Sequence, residues 1–178
     1  MCMIKSWPME HLLARALLDF DLWLQSSDWK ARENECVNQF AHAHLAKQIT
    51  PGRVLFDFAQ IGIEVAVPQL PALGRKAAVR KDLVVWSKPG MTAFDGDFRP
   101  VQAPIAIIEW KPRSNKLCAV NLDWLSQFTR AYPGCFGAVV TVDFKKSGSR
   151  LHTAAVRGGE VELDWIQGAK SRAEKTDK

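Results

Sequence analysis

The stretch "PIAIIEWKP", residues 104 to 112, carries an apolar run into Glu109, Trp110 and Lys111. If the run is a strand, its side chains alternate, so Glu109 and Lys111 share one face while Trp110 joins Ala106 and Ile108 on the other. A carboxylate buried there without a partner costs several kcal/mol, so a cation or water must lie beside it. A second acid is available in "RKDLVVW", where Asp82 opens the preceding strand. If the two strands are antiparallel, the start of one lies beside the end of the other, and Asp82 meets Glu109. Two adjacent carboxylates repel unless a cation sits between them, and hard oxygen ligands that leave room for water and phosphate describe Mg²⁺ or Mn²⁺. The Trp110 carbonyl can add a third ligand. Lys111 can hold an attacking water, stabilise charge on a phosphate or ease proton removal.

An acid, any residue and a lysine is a weak pattern alone. The chain contains it at Asp28-Trp29-Lys30 and Asp143-Phe144-Lys145 as well. The first falls at a helix start, where mixed charge is ordinary surface chemistry. The third ends an apolar run, but no strand immediately before it opens with an acid. Glu109 alone has a preceding strand with Asp82 and a following helix.

The elements that position these residues follow from periodicity. Leu12, Leu13, Leu17, Phe20 and Leu24 recur at helical spacing over residues 8 to 25, with Ser6 as cap. A second helix is expected from Ser27 or Asp28 to Pro51-Gly52, its stripe formed by Val37, Phe40, Ala41, Leu45 and Ile49. Three strands come next, "IGIEVAVPQL", "AAVRKDLVVW" and "PIAIIEWKP", then a helix from Asn121 to Pro133-Gly134. "FGAVVTVDF" reads as a strand buried on both faces, and "RLHTAAVRGGEVELDWI" as a hairpin turning at Gly158-Gly159. The order α, α, β, β, β, α, β and hairpin suits a single α/β domain over residues 1 to 170, with one mixed sheet between helices. Residues 1 to 26 form an N-terminal helical extension, 27 to 145 the core and 146 to 170 the C-terminal hairpin, with 171 to 178 a frayed tail.

"KDLVVW", "IIEWK" and "LDWLSQFTRAY" together resemble the PD-(D/E)XK nuclease superfamily, the restriction-endonuclease-like fold, over about residues 29 to 144. The resemblance implies a three-layer α/β/α architecture with an αβββαβ core, metal-dependent phosphodiester hydrolysis, and DNA, in preference to RNA, as substrate. Asp82 matches the first acid, Glu109 the second and Lys111 the lysine. Lys81 stands where the family name has proline. Many members also carry a glutamate on the first core helix, and here Glu33 lies on the face of Val37, Phe40 and His44. Gln127 resembles a glutamine of relatives that touches the metal-bound water or the phosphate.

A net charge of +5 and a sequence pI near 9.1 fit a polyanionic partner without demanding one. Arg75, Lys76, Arg80 and Lys81 before the second strand, with Lys88 and Arg99 after it, are expected to form a basic rim for phosphate contact. The connector from Ser87 to Ala103 is long enough to be a mobile or substrate-contacting loop. His42 and His44 stand two apart on a helix, the wrong spacing for zinc. Cys2, Cys36, Cys118 and Cys135 are scattered, so reduced thiols in a cytoplasm are expected. Charges interrupt the N-terminal apolar stretch, leaving neither a signal sequence nor a membrane span. The tryptophans belong to core stripes. Two rival readings keep different parts of this picture: a nucleic-acid-binding or assembly module with a relic site, and a protein-interaction domain whose first helix docks a partner or a second copy.

Overall fold

The computed structural model describes residues 8–145 and 148–167. Ser6, Trp7, Cys2 and the 171–178 tail lie outside the described residues. The elements run α1 (Pro8–Gln25), α2 (Glu33–Gln39), β1 (Ile61–Pro68), β2 (Ala78–Val85), β3 (Ala106–Pro112), α3 (Ala119–Ala131), β4 (Phe136–Lys145), β5 (Gly148–Arg157) and β6 (Glu160–Leu163). The six strands form one mixed sheet in sequence order. Only β3 and β4 pair in parallel, and α3 supplies the crossover that a parallel pair needs. The α/β class, the central mixed sheet and the hairpin are as expected.

Apolar side chains collect on both faces of the sheet, making three layers. On one face, Leu13, Leu17, Phe20 and Leu24 of α1 and Cys36 and Val37 of α2 pack with Leu83, Ile108, Trp110 and Val140. On the other, Trp124, Leu125 and Phe128 of α3 pack with Val84, Ile107, Val139 and Val156. β4 crosses between the two and is buried almost throughout, as its unbroken apolar run requires. Gly137 lets α3 approach it: a Cβ there would sit 3.2 Å from Leu125 Cδ2. Gly158 and Gly159, with φ of 56° and 91°, make the turn between β5 and β6.

The second helix departs from its expected bounds. Neither Ser27 nor Asp28 caps it; α2 begins at Glu33, and the Arg32 N–H donates to Glu35 Oε2 at 2.7 Å. From Phe40 to Leu45 the chain widens into a π-helix, then tightens into a 3₁₀ turn over Ala46–Gln48. The wider turn keeps Phe40, Ala41, His44 and Leu45 all buried. α3 likewise starts earlier than Asn121, with Cys118 at its N-cap. Trp29 lies ahead of α2 and Trp86 just past β2, yet Trp86 is buried and Trp29 packs partly buried against the core. The 87–103 connector is tied down by a Phe94–Pro100 bridge and by Val101 and Gln102 N–H groups donating to the Ala93 carbonyl.

β1 and β2 contain the feature that shapes the site. In an even strand Ile61, Ile63, Val65 and Val67 would share a face. Here Ile61 and Ile63 pack with the α1 side and Val65 and Val67 with the α3 side. β2 switches in step, with Val79 on the α3 side and Leu83 and Val85 on the α1 side. The switch falls at Glu64, whose φ is 51°, and at Asp82, the two residues skipped between the Ile63–Leu83 and Val65–Lys81 pairs. A non-glycine residue in the left-handed region marks local strain that surrounding contacts must hold.

Phe20 sits at the centre of the α1 face, fully buried, with its ring 5.7 Å from Trp110 and 5.9 Å from Phe40. Replacing it with alanine is expected to lower unfolding free energy by about 3–5 kcal/mol. Val120→Ala, at a 76% exposed position, should change it by less than about 0.5 kcal/mol. Equilibrium urea denaturation monitored by tryptophan fluorescence measures both.

Candidate active site

β2 and β3 pair over Leu83–Ile108, Val84–Ile107 and Val85–Ala106, and the ladder stops there. β3 continues beside β4 to Pro112. Where the two strands part, Asp82 occupies the gap: its Oδ2 accepts the Trp110 backbone N–H at 2.7 Å. That bond fixes the carboxyl beside the end of β3. Glu109 comes from the facing strand, and the two carboxyls lie within hydrogen-bonding reach of each other. The antiparallel pairing therefore brings Asp82 and Glu109 together as the residue pattern implied.

Burial pushes the Asp82 carboxyl up to about 6, the Trp110 N–H pulls against that, and the charge of Glu109 adds to the rise. Lys111 extends from the end of β3 to Glu33 in the first turn of α2, with Nζ 2.8 Å from Oε2. Burial works against the Lys111 charge, but the bond to Glu33 and the fields of Glu33, Asp82 and Glu109 outweigh it and hold the ammonium above its ordinary range. Asp82, Glu109, Lys111 and Glu33 are thus brought to one end of the sheet. Gln127 is not seen joining them: its amide donates to Asp123 Oδ2, 3.0 Å away and one turn back on α3.

Lys81 is placed where the sequence reading did not put it. It is 6% exposed, bonded to Glu109 Oε1, and its Nζ stands 3.5 Å from the centre of the Trp124 ring. It is a buried counter-ion and no part of a solvent-facing rim. The cause is the face switch at Asp82, which turns Lys81 onto the face of Glu109. A signal existed: in "VRKDLVV" Lys81 falls in the alternating set with Val79, Leu83 and Val85, where a lysine requires a buried partner.

The rest of the expected rim divides. Arg75, Lys76 and Arg80 are exposed on the turn and strand that lead to Asp82, with Arg80 3.5 Å from Glu64. Lys88 follows the opposite end of β2, beyond Val85, which pairs with Ala106 at the start of β3, away from Glu109. Arg99 is held within its own loop by Asp95 and Asp97 at 3.1 and 2.8 Å. Lys88 therefore does not flank the acids, and the Arg99 guanidinium is committed to its own loop. Arg113 and Lys116, exposed in the loop that leaves β3, do so by topology, and the sequence reading passed over both.

Asp143 and Lys145, the competing acid and lysine on β4, pair with each other at 2.9 Å. His44 Nδ1 bonds Asp19 at 2.8 Å inside an aromatic cage of Phe20 and Trp23, and His42 stacks on Phe58. Cys36, Cys118 and Cys135 are free thiols.

Among the described residues no group of three or more His, Cys, Asp and Glu is gathered as a metal cage. The acidic set is the pair Asp82 and Glu109, with Glu33 engaged by Lys111. A pair of adjacent hard carboxylates suits one Mg²⁺-class ion that keeps most of its ligands as water. Lys81 already occupies one side of Glu109. No protein-family model, curated protein or solved structure matches the chain. No helix among the described residues is long and apolar enough to cross a membrane.

Because the raised Asp82 value favours the protonated form in the folded state, stability from this group is present below the ordinary carboxyl value of 3.8. It is lost as pH rises through about 6. Asp82→Asn should therefore gain thermal stability over the wild type between pH 4 and pH 7 in the absence of divalent ions. A difference in melting temperature that does not grow across that interval would contradict the assignment.

Proposed function

We propose that the protein is a metal-dependent nuclease that hydrolyses phosphodiester bonds of DNA or RNA, of the PD-(D/E)XK type. The observation that carries this reading is the meeting of Asp82 and Glu109 at the parted end of β2 and β3, with Lys111 beside them. Asp82 and Glu109 would hold one Mg²⁺ or Mn²⁺, with the Trp110 carbonyl next to them. Bound there, the ion supplies Lewis-acid polarisation of the phosphate and a more acidic water.

The chain's own residues account for the remaining work. Lys111 is 42% exposed, so its ammonium can reach a phosphate oxygen in solvent and offset charge that grows as the bond to phosphorus forms. Glu33 aims that ammonium and keeps it charged. Arg80 on β2 and Arg113 and Lys116 after β3 carry exposed positive charge toward the same end, with Arg75 and Lys76 further out on the β1–β2 hairpin, a distribution suited to a phosphate backbone. Two clefts of about 440 and 510 Å³ lie elsewhere, lined by Asp21 and Arg150 and by Arg15 and Arg53. The exposed members of the cluster are Lys111 and Glu33, about 40% exposed, through which a phosphate in solvent would be met.

The pairing of Lys81 with Glu109 favours a second reading, a nucleic-acid-binding or assembly module of this fold whose acid site has been neutralised. Purified protein with plasmid or single-stranded DNA separates the two. Mg²⁺- or Mn²⁺-dependent cutting, stopped by EDTA and reduced about 10²-fold or more by Lys111→Ala, is expected for the nuclease. Salt-sensitive binding with no cutting under any divalent ion would overturn catalysis and leave the module.

Binding carries its own prediction. Arg75→Ala and Lys76→Ala should each weaken DNA affinity evenly across sequences and reduce the slope of log K against log salt by about one. Lys88→Ala, at the other end of the sheet, should leave both unchanged in fluorescence-anisotropy titrations.

A further inference from the structure

Around the acids the charges do not balance evenly. Glu33 is matched by Lys111, and Glu109 is matched by Lys81. Asp82 has a backbone N–H and the more distant field of Lys111, and no ion pair among the described residues is formed by it. Lys81 is also the most enclosed of these cations, with a side chain 7% exposed against 42% for Lys111.

Its position is built from three directions. The face switch at Glu64 and Asp82 turns it inward. The Trp124 ring lies under the ammonium, and that ring is locked by its own Nε1–H donating to Gln69 Oε1 at 2.8 Å. Glu109 closes the third side. An ammonium over an indole face and against a carboxylate is held by both the ring quadrupole and the ion pair. Such a lysine does not swing out to solvent without leaving Glu109 buried and uncompensated.

We propose that Lys81 is a fixed cation standing in the place of a divalent ion on the α3 side of Glu109, so that the site admits at most one divalent ion, on the Asp82 side. Lys81 is in this sense a positioning residue: it holds the Glu109 carboxylate, neutralises one of its oxygens and sets how strongly the pair attracts metal. The inference rests on the acid pair being the metal site, but not on the protein's cutting nucleic acid.

Mn²⁺ titration of the full chain, read by electron paramagnetic resonance of the free ion and by calorimetry, tests this. The wild type should bind no more than one Mn²⁺. Lys81→Gln should bind Mn²⁺ on the order of tenfold tighter or more, because a positive charge a few ångströms from the ion has been removed, and should admit a second ion. Lys81→Arg should keep the wild-type count. Two ions bound by the wild type would overturn the proposal whatever the variants do. So would a folded Lys81→Gln protein whose affinity and count equal those of the wild type. If the wild type binds none and Lys81→Gln gains a site, the proposal stands. Cutting assays on the same samples report separately on the nuclease reading, which fails if one ion binds and no substrate is cleaved.

Discussion

Glu109 sits near the end of a central strand with a side chain only 8% exposed, and the local architecture follows from having to neutralise it. A buried carboxylate without a counter-charge would cost several kcal/mol. The neighbouring strand supplies the counter-charge from Lys81, but Lys81 reaches Glu109 only because β1 and β2 exchange faces at Glu64 and Asp82. The same irregularity frees Asp82 from the ladder and sends its carboxylate to the Trp110 N–H. One electrostatic requirement thus explains a strained backbone, a parted pair of strands and the convergence of two acids.

The solvent gradient across the cluster separates two kinds of work. Lys81 and Glu109 are dry and rigid, and their geometry is set by Trp124 and Gln69 behind them. Lys111 and Glu33 are about 40% exposed and stand at the mouth. Charged pairs that face water are screened and exchange partners at little cost, whereas enclosed pairs do not. On the nuclease reading proposed above, a phosphate arriving from solvent would take Lys111 from Glu33 but not Lys81 from Glu109. The outer lysine is the one free to change partners, and the inner one fixes the Glu109 carboxylate.

Much of this was legible in the amino-acid order. Runs such as "FGAVVTVDF" and the stripe of Leu13, Leu17, Phe20 and Leu24 announce their elements because a buried face imposes a period, and the antiparallel step from β2 to β3 was enough to pair Asp82 with Glu109. Helical spacing also put Glu33 on the face of Val37, Phe40 and His44, and Glu33 is the acid that meets Lys111. The parts that were not legible share a cause. The π-helix at Phe40–Leu45 and the face switch at Glu64 both break the periods on which such reading depends; the first carries no glycine or proline, and the second is marked by Gly62, where a Cβ would sit 2.8 Å from Val65 Cγ2. Lys81 was consequently assigned to solvent, and Lys88 was set beside acids that lie at the other end of β2. Gln127 came from the family resemblance, which does not weigh the competing carboxylate acceptor at Asp123 one turn away.

A purely structural ion cluster and a working metal site make different demands on charge balance. A cluster that exists only to satisfy buried groups can close on itself, each acid against a base, as Lys145 does with Asp143. The cluster at the end of β3 has one acid more than it has bases: among the described residues Glu33, Asp82 and Glu109 face Lys81 and Lys111. The remaining acid is Asp82, whose proton affinity is raised because burial and Glu109 both disfavour its charge. Among the described residues the Trp110 N–H and the field of Lys111 offset only part of that cost at neutral pH, and replacing the aspartate by an asparagine would remove it while keeping an acceptor for Trp110. An uncompensated acid held in place by a backbone bond is the arrangement expected where the missing charge is meant to arrive from outside. If that charge is the divalent ion proposed above, Lys81 already takes the inner side of Glu109, which leaves the Asp82 side for it.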